Sequence, residues 1–284
     1  VFTRCTAKKC RIKVTTLKYT LQLADNVLIM GQRLAAWCGK GPILEQDIAL
    51  TNISLDQIGQ ARSLYQYAAT IVNNMPAADK AQLFNAPLLQ EKINNKLSIT
   101  EDDLAYLRDA WDFRNCLLVE QENGDWAYTV ARSFFFDRFQ YLLYTAMLKS
   151  TDGTLAAIAE KSLKEVQYHI KWASEWVIRL GDGTDISKEK MQHALQARWE
   201  YTGEMFTMNE LEKEAYNIGL GVDVSQLQQT YQQQIETIVQ EAGLQMPTAA
   251  WMQTGGKNGV HTEHLGYILA EMQYLQRAYP NMEW

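Results

Sequence analysis

Apolar residues recur every three or four positions along almost the whole chain, and no alternation of period two persists as it would in a half-buried strand. The stripe Leu21, Ala24, Val27, Leu28, Gly31, Leu34, Ala35 predicts a first helix over about 16–38, closed by the Gly and Pro of "GKGP" (39–42). A second helix is predicted over about 44–72, with Leu50, Ile53, Ala61, Leu64, Ala68 and Ile71 inward. From about 74 to 123 the pattern breaks into shorter pieces. One of them opens at "SITE" (98–101), which has the Ser…Glu spacing of a capping box.

A third long helix follows "ENGD" (122–125), with Ala127, Val130, Phe134, Tyr141 and Tyr144 on one face. "STDGT" (150–154) turns it into a fourth that carries Leu155, Ala159, Val166, Ile170 and Val177 in register, and "GDGTD" (181–185) ends that helix. Further helices are expected near 186–206, 209–218, 224–242 and 262–278. Two helical hairpins with short loops, joined by one long crossover, have the connectivity of ferritin-like bundles. The expectation is an all-α, ferritin-like four-helix bundle with additional C-terminal helices, in a single domain over 17–284.

Composition narrows the function. At 47% apolar and 21% charged, the chain has the balance of a soluble folded domain, and no apolar run approaches the roughly 18 residues that would span a membrane. The net charge of −6 argues against nucleic acid as a partner. The start, "VFTRCTAKKCRIK", holds five basic residues and no acidic one, without the apolar core of a secretory signal. Residues 1–16 are therefore read as an N-terminal extension, disordered or foreign to the domain. Four scattered cysteines, with Cys38 and Cys116 in apolar surroundings, make neither a disulfide framework nor a zinc motif, which suggests a reducing cytoplasm.

Bundles of this connectivity often hold two metal ions. They use one carboxylate from each of two helices and a Glu-x-x-His from each of the other two, all projecting inward. The matching inward positions here are Val27 on the first helix, Gln57 and Gln60 on the second, Asp137 on the third, and Val166 and His169 on the fourth. Only Asp137 and His169 are good ligands, because an amide is a weak neutral donor and valine is none. Glu165, Asp25 and Asp56 flank these slots but do not make up two metals' worth of charge. The set reads as a vestigial centre whose members hydrogen-bond one another, with no metal and no catalytic residue of its own.

Specific stretches support that reading: "DNVLIMGQRLAAWCG" (25–39), "LDQIGQAR" (55–62), "LLVEQENGDWA" (117–127), "KEVQYH" (164–169), "LGDGTD" (180–185) and the tail from "TGGKNG" to "RAYP" (254–280). Together and in order, they resemble the structural-subunit family of the bacterial ring 1,2-phenylacetyl-CoA epoxidase, a multicomponent monooxygenase of phenylacetate breakdown. In that enzyme two ferritin-like subunits pair, and the catalytic A-type partner holds the di-iron ligands, including a "DEAGH" on its second helix. The segment "DQIGQ" (56–60) has Gln57 and Gln60 in the Glu and His places, Val27 falls at the first glutamate, and Trp37 fits the catalytic partner's tryptophan. The resemblance implies a structural subunit, inactive alone, that binds no cofactor. It would scaffold the iron-bearing partner, meet other subunits of the complex, and border a CoA thioester.

Other constellations are weaker. "RDAWDFRN" (108–115) combines stacking surface, a cation and an amide, so Asp112, Phe113, Arg114 and Asn115 are candidate contacts for coenzyme A, with Lys213 a further one. "HTEH" (261–264) resembles a ligand cluster but reads better as a helix start, and the Gly-rich "TGGKNG" (254–259) reads better as a loop than as a phosphate cradle. Two other functions stay open: an active but unusual di-metal oxidase, which bound metal would reveal, and a helical bundle that holds CoA thioesters, which direct CoA binding would reveal.

Overall fold

The computed structural model describes residues 2–280 and 282, and no strand occurs among them. Four long helices form the body: α1 (Phe2–Ala35), α2 (Leu44–Asn73), α7 (Trp126–Met147) and α8 (Gly153–Gly181). Short helices α3 (Ala77–Lys80), α4 (Pro87–Asn94), α5 (Glu101–Tyr106) and α6 (Leu117–Glu120) lie in the crossover. After the bundle come α9 (Asp185–Trp199), α10 (Glu210–Asn217), α11 (Gln228–Glu241) and α12 (Glu263–Ala278). The chain is thus an all-α bundle of ferritin-like connectivity with a helical C-terminal extension. No helix of the described residues is long and apolar enough to cross a membrane.

α1 lies along α2 and α7 along α8, and α2 also meets α8. The first hairpin closes tightly because Gly31 has no side chain. A Cβ there would stand 3.0 Å from Ile58 Cγ1 and 3.3 Å from Gln57 Cβ, and Ser54 Oγ donates to the Gly31 carbonyl at 2.9 Å. The turn is held by Asp47, whose Oδ1 accepts from the N–H groups of Gly39 and Gly41 at 2.9 and 3.1 Å. α7 is apolar on nearly every side, as a central helix should be, and buries Phe134, Phe135 and Phe136 in succession. At one end of the bundle Trp126 meets Trp37, Trp172 and Trp176 edge-on, at ring distances of 5.4, 5.7 and 5.2 Å.

Three expectations need correction. The first helix does not begin near residue 16: α1 extends back to Phe2, and Thr15 and Thr16 are buried, so the described part of 1–16 is helical and its last turn joins the body. Thr15 and Thr16 return their hydroxyls to the carbonyls of Arg11 and Ile12, which lets a polar helix turn enter the core. The capping box lies two residues beyond "SITE". Thr100 Oγ1 accepts from Asp103 N–H at 3.2 Å and Asp103 Oδ2 accepts from Thr100 N–H at 2.9 Å, while Asn73 grips both backbone groups of Ile99 and keeps that residue extended. Cys38 is exposed rather than apolar in its surroundings, whereas Cys116 is buried.

Candidate functional site

At mid-height of the bundle the inward polar residues meet. Gln57 and Gln60 from α2, Asp137 from α7 and His169 from α8 are all buried, and Val27 and Val166 fill the facing positions with hydrocarbon. The residue that joins them was not among the sequence candidates: Gln140, one turn beyond Asp137 on α7. Gln57 Nε2 donates to Gln140 Oε1 at 3.0 Å, and Gln140 Nε2 donates to Gln60 Oε1 at 2.8 Å. Gln60 Nε2 then donates to Glu165 Oε2 at 2.8 Å, so the chain of bonds runs from α7 through α2 to α8. The i, i+3 spacing from Asp137 was the available signal for Gln140.

Asp137 itself is weakly held. Its Oδ1 lies 3.4 Å from Gln57 Nε2 and its Oδ2 has no hydrogen-bond partner. Burial pushes its carboxyl up to about 7, against the opposing pull of His169, Arg138 and Arg132. His169 turns its Nε2 to Asp56 Oδ2 at 3.1 Å, and its Nδ1 is buried without a partner.

This donor set does not fit a di-iron centre. Two iron ions need about four anionic oxygens and two imidazoles directed at one space. Here three amides occupy the middle, Glu165 is engaged with Gln60, and Asp56 is engaged with His169. Among the described residues no three of His, Cys, Asp and Glu are grouped so as to hold a metal ion. Asp25, read as a flank of the first slot, faces elsewhere. It pairs with the buried Arg108, accepts from Tyr65 Oη at 2.6 Å, and accepts the Arg114 backbone N–H at 2.9 Å. Arg108 in turn lies 4.3 Å over the Phe113 ring. The pair pins the crossover to α1.

The crossover candidates separate by burial. Phe113 and Asn115 are both 0% exposed, and Asn115 Nδ2 donates to the buried Glu120 at 2.8 Å, so neither can touch a ligand at the surface. They were misread because an aromatic beside a cation suits a binding site and a folded crossover equally well. Asp112 and Arg114 do line an open cleft, and Lys213 lines a separate depression while bonding Glu210 at 2.8 Å.

Three buried glutamates tie the C-terminal loop to the crossover and the body. Glu120 accepts from Thr262 N–H at 2.7 Å and from His261 Nδ1 at 2.8 Å, while His261 Nε2 faces the Phe113 carbonyl at 3.0 Å. Both ring nitrogens face acceptors, an arrangement that favours the protonated ring. Burial lowers its pKa, but the Glu120 bond and charge and the Phe113 carbonyl outweigh burial and leave it raised. The turn that looked like a phosphate cradle is already filled. Glu204 Oε1 accepts from Gly255 and Lys257 N–H at 2.8 and 3.1 Å, and Lys257 Nζ pairs with Glu212 at 2.7 Å. "HTEH" and "TGGKNG" are fasteners.

The family model described as "Phenylacetic acid catabolic protein" matches residues 6–284. The chain is also similar to the C subunit of the 1,2-phenylacetyl-CoA epoxidase of Escherichia coli (strain K12), with 42% identity over 266 residues, covering 94% of this chain and 98% of that one.

Proposed function

The chain belongs to the phenylacetic acid catabolic protein family, and from that membership we propose that it is a non-catalytic structural subunit of an epoxidase acting on phenylacetyl-CoA. The observation that carries the reading is the amide network Gln57–Gln140–Gln60 at the height where a bundle of this connectivity would hold iron. A metal would need negative charge there, and the core supplies neutral amides and one carboxyl that burial favours protonated. The oxygen chemistry therefore falls to a related iron-bearing subunit, fed by O2 and a separate electron donor.

This chain's contribution in that reading is mechanical. Its four-helix body is fastened by the tryptophan cluster at one end, and by the Asp25–Arg108 pair and the three buried glutamates, which tie the crossover and the C-terminal loop to α1. Apolar side chains stay exposed along one face of α2, at Leu44, Ile48 and Leu55. Obligate subunit interfaces are broad and apolar, and such a stripe suits one. The family of the E. coli relative, named a subunit, makes a cytoplasmic heteromer the natural setting.

Co-expression with the family's catalytic subunit tests the proposal. The two chains should purify together in fixed ratio, with epoxidation of phenylacetyl-CoA by the complex and none by this chain alone. Turnover by the isolated chain would overturn the reading.

A further inference from the structure

α12 is fixed on one side and uncovered on the other. Leu265, Ile268, Leu269 and Gln273 are buried, and Gln273 Nε2 donates to the Ala105 and Arg108 carbonyls at 3.2 and 3.0 Å. Arg277 Nη2 pins the last turn to the crossover through Asp109 at 2.9 Å and the Arg108 carbonyl at 2.7 Å. The outer side presents Gly266, Tyr267, Ala270, Tyr274 and Ala278, with each tyrosine 64% exposed. Between this side and residues 109–110 runs an open groove of about 580 Å³, walled in part by Gly266, Ala270, Tyr274 and Arg277.

The residues of this face complement one another. Gly266 and Tyr274 stand four positions either side of Ala270, and Glu263 and Arg277 stand seven either side. In a two-fold pairing, residue i meets j while j meets i. An antiparallel pair of α12 helices with its axis at Ala270 therefore sets alanine on alanine, which permits close approach. Each Tyr274 ring then covers the partner's Gly266, where a Cβ would find nothing within 4 Å. Each Glu263, in the acidic first turn, meets the partner's Arg277 in the basic last turn. Arg277 can accept that pairing, because among the described residues its Nη1 meets no acceptor.

The row Gly266, Ala270, Tyr274 is also an i±4 ridge, the kind that interdigitates in the commonest class of helix packing, with axes crossing at about −50°. A parallel pairing would set Glu263 on Glu263 and Tyr274 on Tyr274, and would align the helix dipoles unfavourably. We infer that α12 is the contact of a two-fold dimer of this chain, paired antiparallel about Ala270. The pairing uses none of the exposed residues Leu44, Ile48 and Leu55 of α2. The face assigned above to the catalytic partner stays open, so the dimer joins two heteromers through this chain. The pairing itself does not depend on that assignment. One helix pair covers less surface than a standard interface, and the dimer should dissociate on dilution.

Sedimentation equilibrium of the purified full chain tests this. Monomer and dimer should interconvert with concentration. Ala270→Glu and Tyr274→Ser should each weaken the dimer at least tenfold, and Glu263→Lys should weaken it by setting two cations together. These side chains are exposed, so an unchanged melting temperature of the dilute chain identifies the loss as one of contact. The register has its own readout: in a Cys38→Ser background, Ala270→Cys should cross-link to its own copy on mild oxidation and Glu263→Cys should not. A chain that stays monomeric at the highest attainable concentration overturns the inference. So does a dimer that ignores Ala270→Glu and is broken by Leu55→Glu, or one in which Glu263→Cys cross-links as readily as Ala270→Cys. Co-purification with the catalytic subunit is an independent result under any of these outcomes.

Discussion

Gln140 Nε2 lies 2.8 Å from Gln60 Oε1, and this bond joins α7 to α2 at the level where a di-metal bundle would place its ions. Three glutamines from two helices there satisfy one another almost completely, and Glu165 ends the series. A buried polar network of this kind stabilises only when complete, because each orphaned member keeps its full desolvation cost.

Removing the amides one at a time should therefore cost more in sum than removing them together. Gln140→Leu strips partners from Gln57 Nε2 and Gln60 Oε1 together, a loss of about 2–4 kcal/mol. Replacing Gln57, Gln60 and Gln140 by Leu together should cost less than the sum of the three single changes, since only Asp137 Oδ1 and Glu165 Oε2 are then left without their donors. Urea midpoints of the single and triple variants measure both. A triple variant as costly as the sum of its singles would mean that the amides act independently.

Asp137 and His261 both make stability fall as pH rises, but in different windows. The folded carboxyl of Asp137, near 7, exceeds its ordinary value of 3.8, so the native state holds the proton longer and stability declines between those limits. Asp137→Asn should flatten that decline and stabilise the protein at pH 8, by at most on the order of 4 kcal/mol. His261 is also raised in the fold, so its contribution is full below its ordinary 6.5 and is lost as pH climbs through the higher folded value. His261→Gln should reduce the decline above pH 6.5, where Asp137 contributes only up to about 7, while leaving the lower part. Denaturation midpoints from pH 4 to 9 separate the two. Amide exchange should show the His261 effect concentrated in α12 and residues 113–120.

Two glycines near the C-terminus should respond oppositely to alanine. A Cβ on Gly256 would stand 2.3 Å from the Asn115 carbonyl and 3.0 Å from Leu117 N, so Gly256→Ala must push the loop off the crossover. The expected loss is about 2–4 kcal/mol, in the range of overpacking and lost buried bonds. Gly266, inside α12, has nothing within 4 Å of such an atom, and Gly266→Ala should stabilise the isolated chain by about 1 kcal/mol. Thermal melts of both variants check the signs.

The long helices were legible because their stripes repeat over many turns and Gly, Pro and Asp mark their ends; α7 begins at Trp126, directly after the "ENGD" signal. The start of α1 was not, since a basic polar run carries no stripe, yet helical geometry continues through it to Phe2. The slots at Gln57, Gln60, Asp137 and His169 could be placed by register, and they do converge in the core. Gln140 escaped because it lies one turn beyond the slot that the register assigns to Asp137 on α7. Asp25 was assigned to the wrong neighbour because its partner, Arg108, lies 83 residues away in the crossover, a distance at which helical periodicity says nothing. Phe113 and Asn115 failed as ligand contacts for the same reason, burial in the crossover being a tertiary property.

Metal content per chain tests the central claim most directly: that this bundle has the connectivity of a di-iron protein and the core of a protein without iron. The measurement is elemental analysis of the chain purified from iron-supplemented medium. Less than about a tenth of an equivalent of iron is the predicted result, since ligand type and count set metal affinity and this core offers amides where carboxylates are needed. A value near two equivalents would contradict the account and make the chain an oxygenase candidate in its own right.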